Sequence, residues 1–72
     1  MKKIKKIKIK VNGKFKSVPE CYSISNLLKE LRVSIKKVAV ELNLEIIDKK
    51  KLSKITLKKD DKIEIVHFIG GG

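Results

Sequence analysis

Ile63-Glu64-Ile65-Val66-His67-Phe68-Ile69 is the strongest β-forming run in the chain, and it leads directly into Gly70-Gly71-Gly72. β-Branched and aromatic residues suit a pleated, half-buried surface, and this run contains little else. Side chains alternate along a strand, so Ile63, Ile65, His67 and Ile69 share one phase while Glu64, Val66 and Phe68 share the other. An unpaired Glu64 carboxylate is too costly to bury. The Glu64 phase is therefore expected to face solvent, with Val66 and Phe68 exposed beside it. The glycines that follow pack nothing and lose conformational entropy if ordered, so a core argument does not account for them.

The same alternation organises the rest of the chain. In residues 5–11, Ile7, Ile9 and Val11 alternate with Lys6, Lys8 and Lys10, the period of a half-buried strand. Asn12 and Gly13 supply the positive backbone angles of a hairpin, and residues 15–18 return as a second strand. Of a two-residue and a three-residue loop, the longer is preferred, which sets Phe15 opposite Val11 and on its face. Ser23 is a helix N-cap, after which Ile24, Leu27, Leu28 and Leu31 form one apolar stripe. Val38-Ala39-Val40-Glu41-Leu42 reads as a strand buried through Val38, Val40 and Leu42, and Asn43 turns the chain. Ile46 and Ile47 form a brief edge strand, Lys49, Lys50 and Lys51 are solvated, and Leu52, Ile55 and Leu57 tie a long connection to the core. Residues 59–62 make a polar turn before the final strand.

One helix cannot cover both faces of a mixed sheet, so a doubly wound architecture is excluded. The expectation is an α+β fold, a mixed sheet of four to five strands with one main helix on one face. Residues 1–72 form a single domain, with residues 70–72 as a flexible tail. Phase then assigns the open face: Glu41 and Glu64 point outward, and Ala39, Val66 and Phe68 join them. Lys6, Lys8 and Lys10 are placed on the same side. A basic surface with an apolar centre at Val66 and Phe68 is a docking composition.

Composition narrows the functional classes. A chain of 72 residues is too small for a large catalytic cleft. Its net charge of +11 favours anionic partners, yet Arg32 is the only arginine and the aromatics are Phe15, Tyr22 and Phe68. Sequence-selective nucleic-acid binding draws on arginine and stacking platforms, both scarce here. The lone Cys21 excludes an internal disulfide and a multi-cysteine zinc site. No signal-peptide core and no membrane-spanning run is present, so the cytoplasm is the expected compartment and a free monomer the expected state.

The tail suggests its own chemistry. Residues without β-carbons thread a narrow channel in a partner enzyme, and nothing crowds the Gly72 carboxylate, which is ionised at neutral pH and able to attack the α-phosphorus of ATP. The competing readings are a frayed terminus and a cloning remnant. Cys21, just before the helix, could serve as a relay thiol, but an ordinary connector residue is preferred. His67 could shuttle protons, but its phase favours a partly covered packing role near the strand end.

The ensemble of Ile63-Glu64-Ile65-Val66-His67-Phe68-Ile69-Gly70-Gly71-Gly72 with Val11-Asn12-Gly13, Ser23-Ile24, Leu27-Leu28, Leu31 and Val38-Ala39-Val40-Glu41-Leu42-Asn43 resembles the thiamine-biosynthesis sulfur carrier family, ThiS. That family is related to the molybdopterin-synthase small subunits among the ubiquitin-like β-grasp proteins. The resemblance spans nearly the whole chain. It departs at Lys59-Asp60-Asp61, where many members have Asp-Gly-Asp, and at Leu52, where an aromatic residue is common; the basic triplet Lys49, Lys50 and Lys51 stands where members often have Arg or Lys. Asp tolerates the left-handed geometry that a turn glycine would adopt.

The resemblance implies a carrier, not an enzyme, that is consumed and regenerated. A ThiF-like adenylyltransferase would use Mg-ATP to activate Gly72, with Gly70 and Gly71 threading its active site and Val66, Phe68, Lys6, Lys8 and Lys10 docking the partner. A persulfide donor such as a cysteine desulfurase would convert the adenylate to a thiocarboxylate, and a ThiG-like thiazole synthase would take the sulfur. The carrier itself would bind no cofactor and no metal. Alternative readings are a molybdopterin-synthase small subunit, ranked lower because the residues from Glu64 to the tail resemble the thiamine branch, and a β-grasp RNA-binding module.

Overall fold

In the computed structural model, residues 5–68 are described. Lys6–Val11 forms β1 and Lys14–Pro19 forms β2; the helix α1 spans Ile24–Glu30; Val38–Leu42, Glu45–Ile46 and Lys62–His67 form β3, β4 and β5. Two short 3₁₀ turns, Ile35–Lys37 and Lys49–Lys51, lie in the connections. The strands align in the order β2-β1-β5-β3-β4. β1 and β5 run parallel in the middle, and the remaining neighbours are antiparallel. With α1 across one face, this is the ubiquitin-like β-grasp.

The first hairpin closes in two residues, which corrects the three-residue expectation. Val11 pairs with Lys14 and Lys10 with Phe15, while Asn12 and Gly13 take φ of 50° and 82°, the geometry of a type I′ turn. A distant contact selects it. The Asn12 side chain accepts from the Ile65 amide at 2.7 Å and donates to the Ile65 carbonyl at 3.3 Å, so it continues the β1–β5 ladder beyond Val11. Phe15 consequently lies on the open face, 69% exposed, instead of beside Val11.

Both ends of α1 are finished by local bonds. Ser23 Oγ accepts from the Asn26 amide at 3.0 Å. The Ile24 and Ser25 amides, which no helical carbonyl can serve, donate to the Ile55 and Leu52 carbonyls at 3.1 and 3.0 Å. The long connection thereby becomes part of the helix cap. At the other end the Val33 amide returns to Leu28 and the Arg32 amide to Lys29, with Arg32 at φ 57°; this is a Schellman closure. Between the caps, Ile24, Leu27 and Leu28 are fully buried against Ile9, Val18, Val38, Val40, Ile63 and Ile65 of the sheet, with Leu52 and Leu57 closing the side. Leu31 joins as a half-buried flank.

The last strand runs past its neighbour. β1 is level with Lys62 and Ile63, so among the described residues β5 is flanked beyond the Asn12 contact by β3 alone. His67, on the Ile65 phase as expected, is therefore exposed and not packed. Asp60 adopts φ 70° and tolerates the turn before β5, while Asp61 accepts from the Lys58 amide at 2.7 Å and from Asn43 at 3.0 Å.

Candidate functional site at the end of β5

The candidate site is the open face where β5 approaches the chain terminus. Pairing of Ala39 with Val66 and Glu41 with Glu64 places all four on that face, as phase requires. Val66 is 53% and Phe68 52% exposed. The Phe68 amide donates to the Lys37 carbonyl at 2.9 Å, so strand-like geometry continues through the last described residue. Lys49, exposed as expected, also reaches over the Phe68 ring, its ammonium 5.2 Å from the centroid, and donates to the Lys36 carbonyl at 3.4 Å. A cation over a ring face gains from the ring quadrupole while leaving the rim available. Periodicity could not announce this contact, since Lys49 belongs to a non-periodic segment.

Lys6, Lys8 and Lys10 share the open face but do not surround Val66 and Phe68. The parallel register sets Lys10 level with Lys62. At about 3.3 Å per residue, Val66 lies about 13 Å beyond Lys10 and about 26 Å beyond Lys6 along the strands. The lysine row has its own aromatic: Phe15, with the Lys8 and Lys10 ammonium groups 5.2 and 5.0 Å from its centroid. Two separate patches thus replace the single basic surface with an apolar centre.

Gly70, Gly71 and Gly72 lie outside the described residues, as does Ile69. Cys21 is exposed at φ 64°, beside the start of β1, where the Glu20 amide bonds the Lys5 carbonyl. It stands at the opposite end of the sheet from Phe68. Four residues extend at most about 14 Å, so the Gly72 carbonyl cannot reach the Cys21 thiol of its own chain. An intramolecular thiol relay is excluded by distance.

The resolved acid–base cluster also lies away from this end. Glu30 of α1 forms an ion pair with Lys16 of β2 and accepts from the Tyr22 hydroxyl at 2.8 Å. Hydrogen bonds from Lys16 and then Tyr22 hold the Glu30 carboxyl below its ordinary range, and the bond to Glu30 pushes the Tyr22 phenol up. Its effect is to fasten α1 to β2. No described helix is long and apolar enough to cross a membrane.

Comparison with known proteins agrees with this geometry. The ThiS family matches residues 4–72. The sulfur carrier protein ThiS of Bacillus subtilis is 42% identical over 65 residues, covering 89% of this chain and 98% of that protein. The crystal structure of a thiamine biosynthesis protein (ThiS) from Geobacter metallireducens superposes with a TM-score of 0.80 at 35% identity, covering 92% of this chain and all of that one. Thiazole synthases of Paramagnetospirillum magneticum and Magnetococcus marinus are 42% and 38% identical over 66 residues. The chain spans only 20% of their length. With the family matched through residue 72 and the same fold in a ThiS crystal structure, the chain belongs to the ThiS family, the sulfur carriers of thiamine biosynthesis.

Proposed function

We propose that the chain carries sulfur as a thiocarboxylate on Gly72 and delivers it for thiazole formation. The observation carrying this reading is the family match that runs through the terminal glycines, on a fold that presents exposed Val66 and Phe68 just before them. A ThiF-like adenylyltransferase binds Mg-ATP, and the Gly72 carboxylate attacks its α-phosphorus. Pyrophosphate leaves and an acyl-adenylate remains. The terminal sulfur of a persulfide on a donor such as a cysteine desulfurase then attacks the acyl carbon and expels AMP. A second thiol reduces the resulting acyl disulfide, releasing the thiocarboxylate and leaving a disulfide on the donor side.

Sulfur in that form is softer and more nucleophilic than carboxylate oxygen, and its attachment to a folded carrier prevents loss as free sulfide. A ThiG-like thiazole synthase is the acceptor. Thiazole synthases that themselves contain a segment similar to this chain support that partnership. The carrier provides the nucleophile and the docking surface, while ATP, metal and catalytic groups belong to its partners. With those partners, the working compartment is the cytoplasm.

Mass spectrometry of the intact protein tests the proposal. Incubation with the adenylyltransferase, Mg-ATP and a persulfide source should replace one C-terminal oxygen by sulfur. Deleting Gly72, or adding a residue after it, should abolish the change, and Cys21→Ser should leave it intact. Thiocarboxylate formation in the deletion variant would refute the assignment, as would none in the unmodified protein with demonstrably active partners.

A further inference from the structure

The chain makes the same two-residue turn twice with different residues. Asn12 and Gly13 connect β1 to β2 at φ 50° and 82°; Asn43 and Leu44 connect β3 to β4 at φ 51° and 73°, with Leu42 paired to Glu45. Glycine occupies the second position without strain. Leucine there brings its Cβ toward a backbone oxygen, the contact that makes left-handed geometry unfavourable for L-residues. Burial does not compensate, because Leu44 is 83% exposed. Ile46, two residues on, is 77% exposed on the edge strand.

A second local cost lies beside the first. Ile46 pairs with Glu41, and Glu41 pairs directly with Glu64. Like charges facing each other across strands destabilise a sheet. This corner of a chain with net charge +11 therefore combines a strained, exposed leucine, an exposed isoleucine and two facing carboxylates. Folding of the isolated chain gains from none of them. An apolar socket rimmed by arginine or lysine would bury both aliphatic side chains and separate the carboxylates with a cation, relieving both costs at one contact.

We infer that Leu44 and Ile46, with Glu41 and Glu64 beside them, form a docking element for a basic-rimmed apolar socket on the adenylating partner. The surface is continuous with Val66 across the sheet through the paired Glu41–Glu64 and Ala39–Val66 rows. It thus extends the face that leads to the tail, and it rests on the reading that Gly72 is adenylated. Discrimination by this corner is electrostatic as well as apolar, since a neutral or acidic rim would leave the carboxylate pair unrelieved.

Substitution separates docking from folding, because the two respond in opposite directions. Leu44→Gly should raise the thermal midpoint, by removing left-handed strain, yet raise the KM for carrier in ATP–pyrophosphate exchange about tenfold or more with little change in kcat. The dissociation constant from calorimetry should rise in parallel. Ile46→Ser tests the adjacent anchor without touching the turn, and should likewise raise KM. Glu64→Gln should raise the thermal midpoint and weaken binding, with a smaller salt dependence than the unmodified chain has. Unchanged KM and affinity in both Leu44→Gly and Ile46→Ser overturns the docking element while leaving adenylation of Gly72 standing. Failure of the unmodified chain to bind or be adenylated overturns the functional reading, and this inference with it.

Discussion

Asn12 should contribute more to the end of β5 than any other single polar side chain. Backbone pairing of β1 with β5 covers Lys62 and Ile63, and the Asn12 amide continues to the Ile63 carbonyl at 2.9 Å. Among the described residues, the Asn12 side chain alone extends this ladder to Ile65, immediately before Val66. A partly buried hydrogen bond is worth about 1 kcal/mol net, so the two together amount to about 2 kcal/mol. The left-handed backbone adds a second contribution, because asparagine tolerates φ 50° where alanine loses about 1–2 kcal/mol.

These contributions separate in a substitution series. Asn12→Asp keeps the acceptor for the Ile65 amide and the turn preference but loses the donor, and should cost about 1 kcal/mol. Asn12→Gly keeps the turn and loses both bonds, for about 2–3 kcal/mol including backbone entropy. Asn12→Ala loses bonds and turn preference, for about 3–4 kcal/mol. At about 4–8 °C per kcal/mol for a domain of this size, the alanine variant should melt at least about 12 °C lower. Thermal unfolding orders the series, and hydrogen exchange at the Ile65 amide localises it. An Asn12→Gly variant as stable as the unmodified chain, with the Ile65 amide equally protected, would refute the reasoning.

Phe68→Ala should weaken binding to the adenylyltransferase or thiazole synthase by about 2 kcal/mol if the ring is an interfacial anchor, with a native amide spectrum; calorimetry on either partner decides it. Glu30→Gln should destabilise at neutral pH, and the difference from the unmodified chain should vanish as pH falls. Glu30 is shifted down in the folded state, so its contribution is full above the unfolded value and disappears as pH drops through the folded one. Urea unfolding at stepped pH measures this. RNA affinity should collapse between low and physiological salt, as counterion release requires when lysines supply nearly all of it; tight, selective binding at physiological salt would favour a nucleic-acid role.

Faces were legible in the sequence, and heights along the strands were not. Alternation alone assigned Ala39, Glu41, Glu64, Val66 and the Lys6, Lys8 and Lys10 row to the open side, because a one-residue slip would bury charges. The Ser23 cap, the Asn43 turn and the left-handed tolerance of Asp60 followed from side-chain chemistry acting within a few residues. The parallel register of β1 on β5 is a different kind of fact. It is set by contacts such as Asn12 with Ile65, 53 residues apart, and it decides that Phe68 lies away from the lysines, while the two-residue hairpin brings Phe15 among them by pairing it with Lys10. The exposure of His67 follows from the same register, since a strand phase says which way a side chain points but not whether a neighbouring strand extends far enough to flank it.

That register also bears on how one small chain would serve the successive enzymes proposed for it. Every proposed partner must reach the tail, so each must contact the chain near Phe68; the Phe15, Lys8 and Lys10 patch lies about 20 Å or more from that residue along the strands. An enzyme active site of ordinary depth, closed around the glycines, leaves the hairpin patch outside its channel. On the proposed function, docking through Phe68, Val66 and the Leu44–Ile46 corner would select who performs chemistry, while the hairpin's lysines would raise the encounter rate with any anionic surface and fade with salt. Screening should slow association with an acidic partner while leaving dissociation nearly unchanged, whereas Phe68→Ala should act chiefly on dissociation. The two patches are thus distinguishable by which rate constant each one controls.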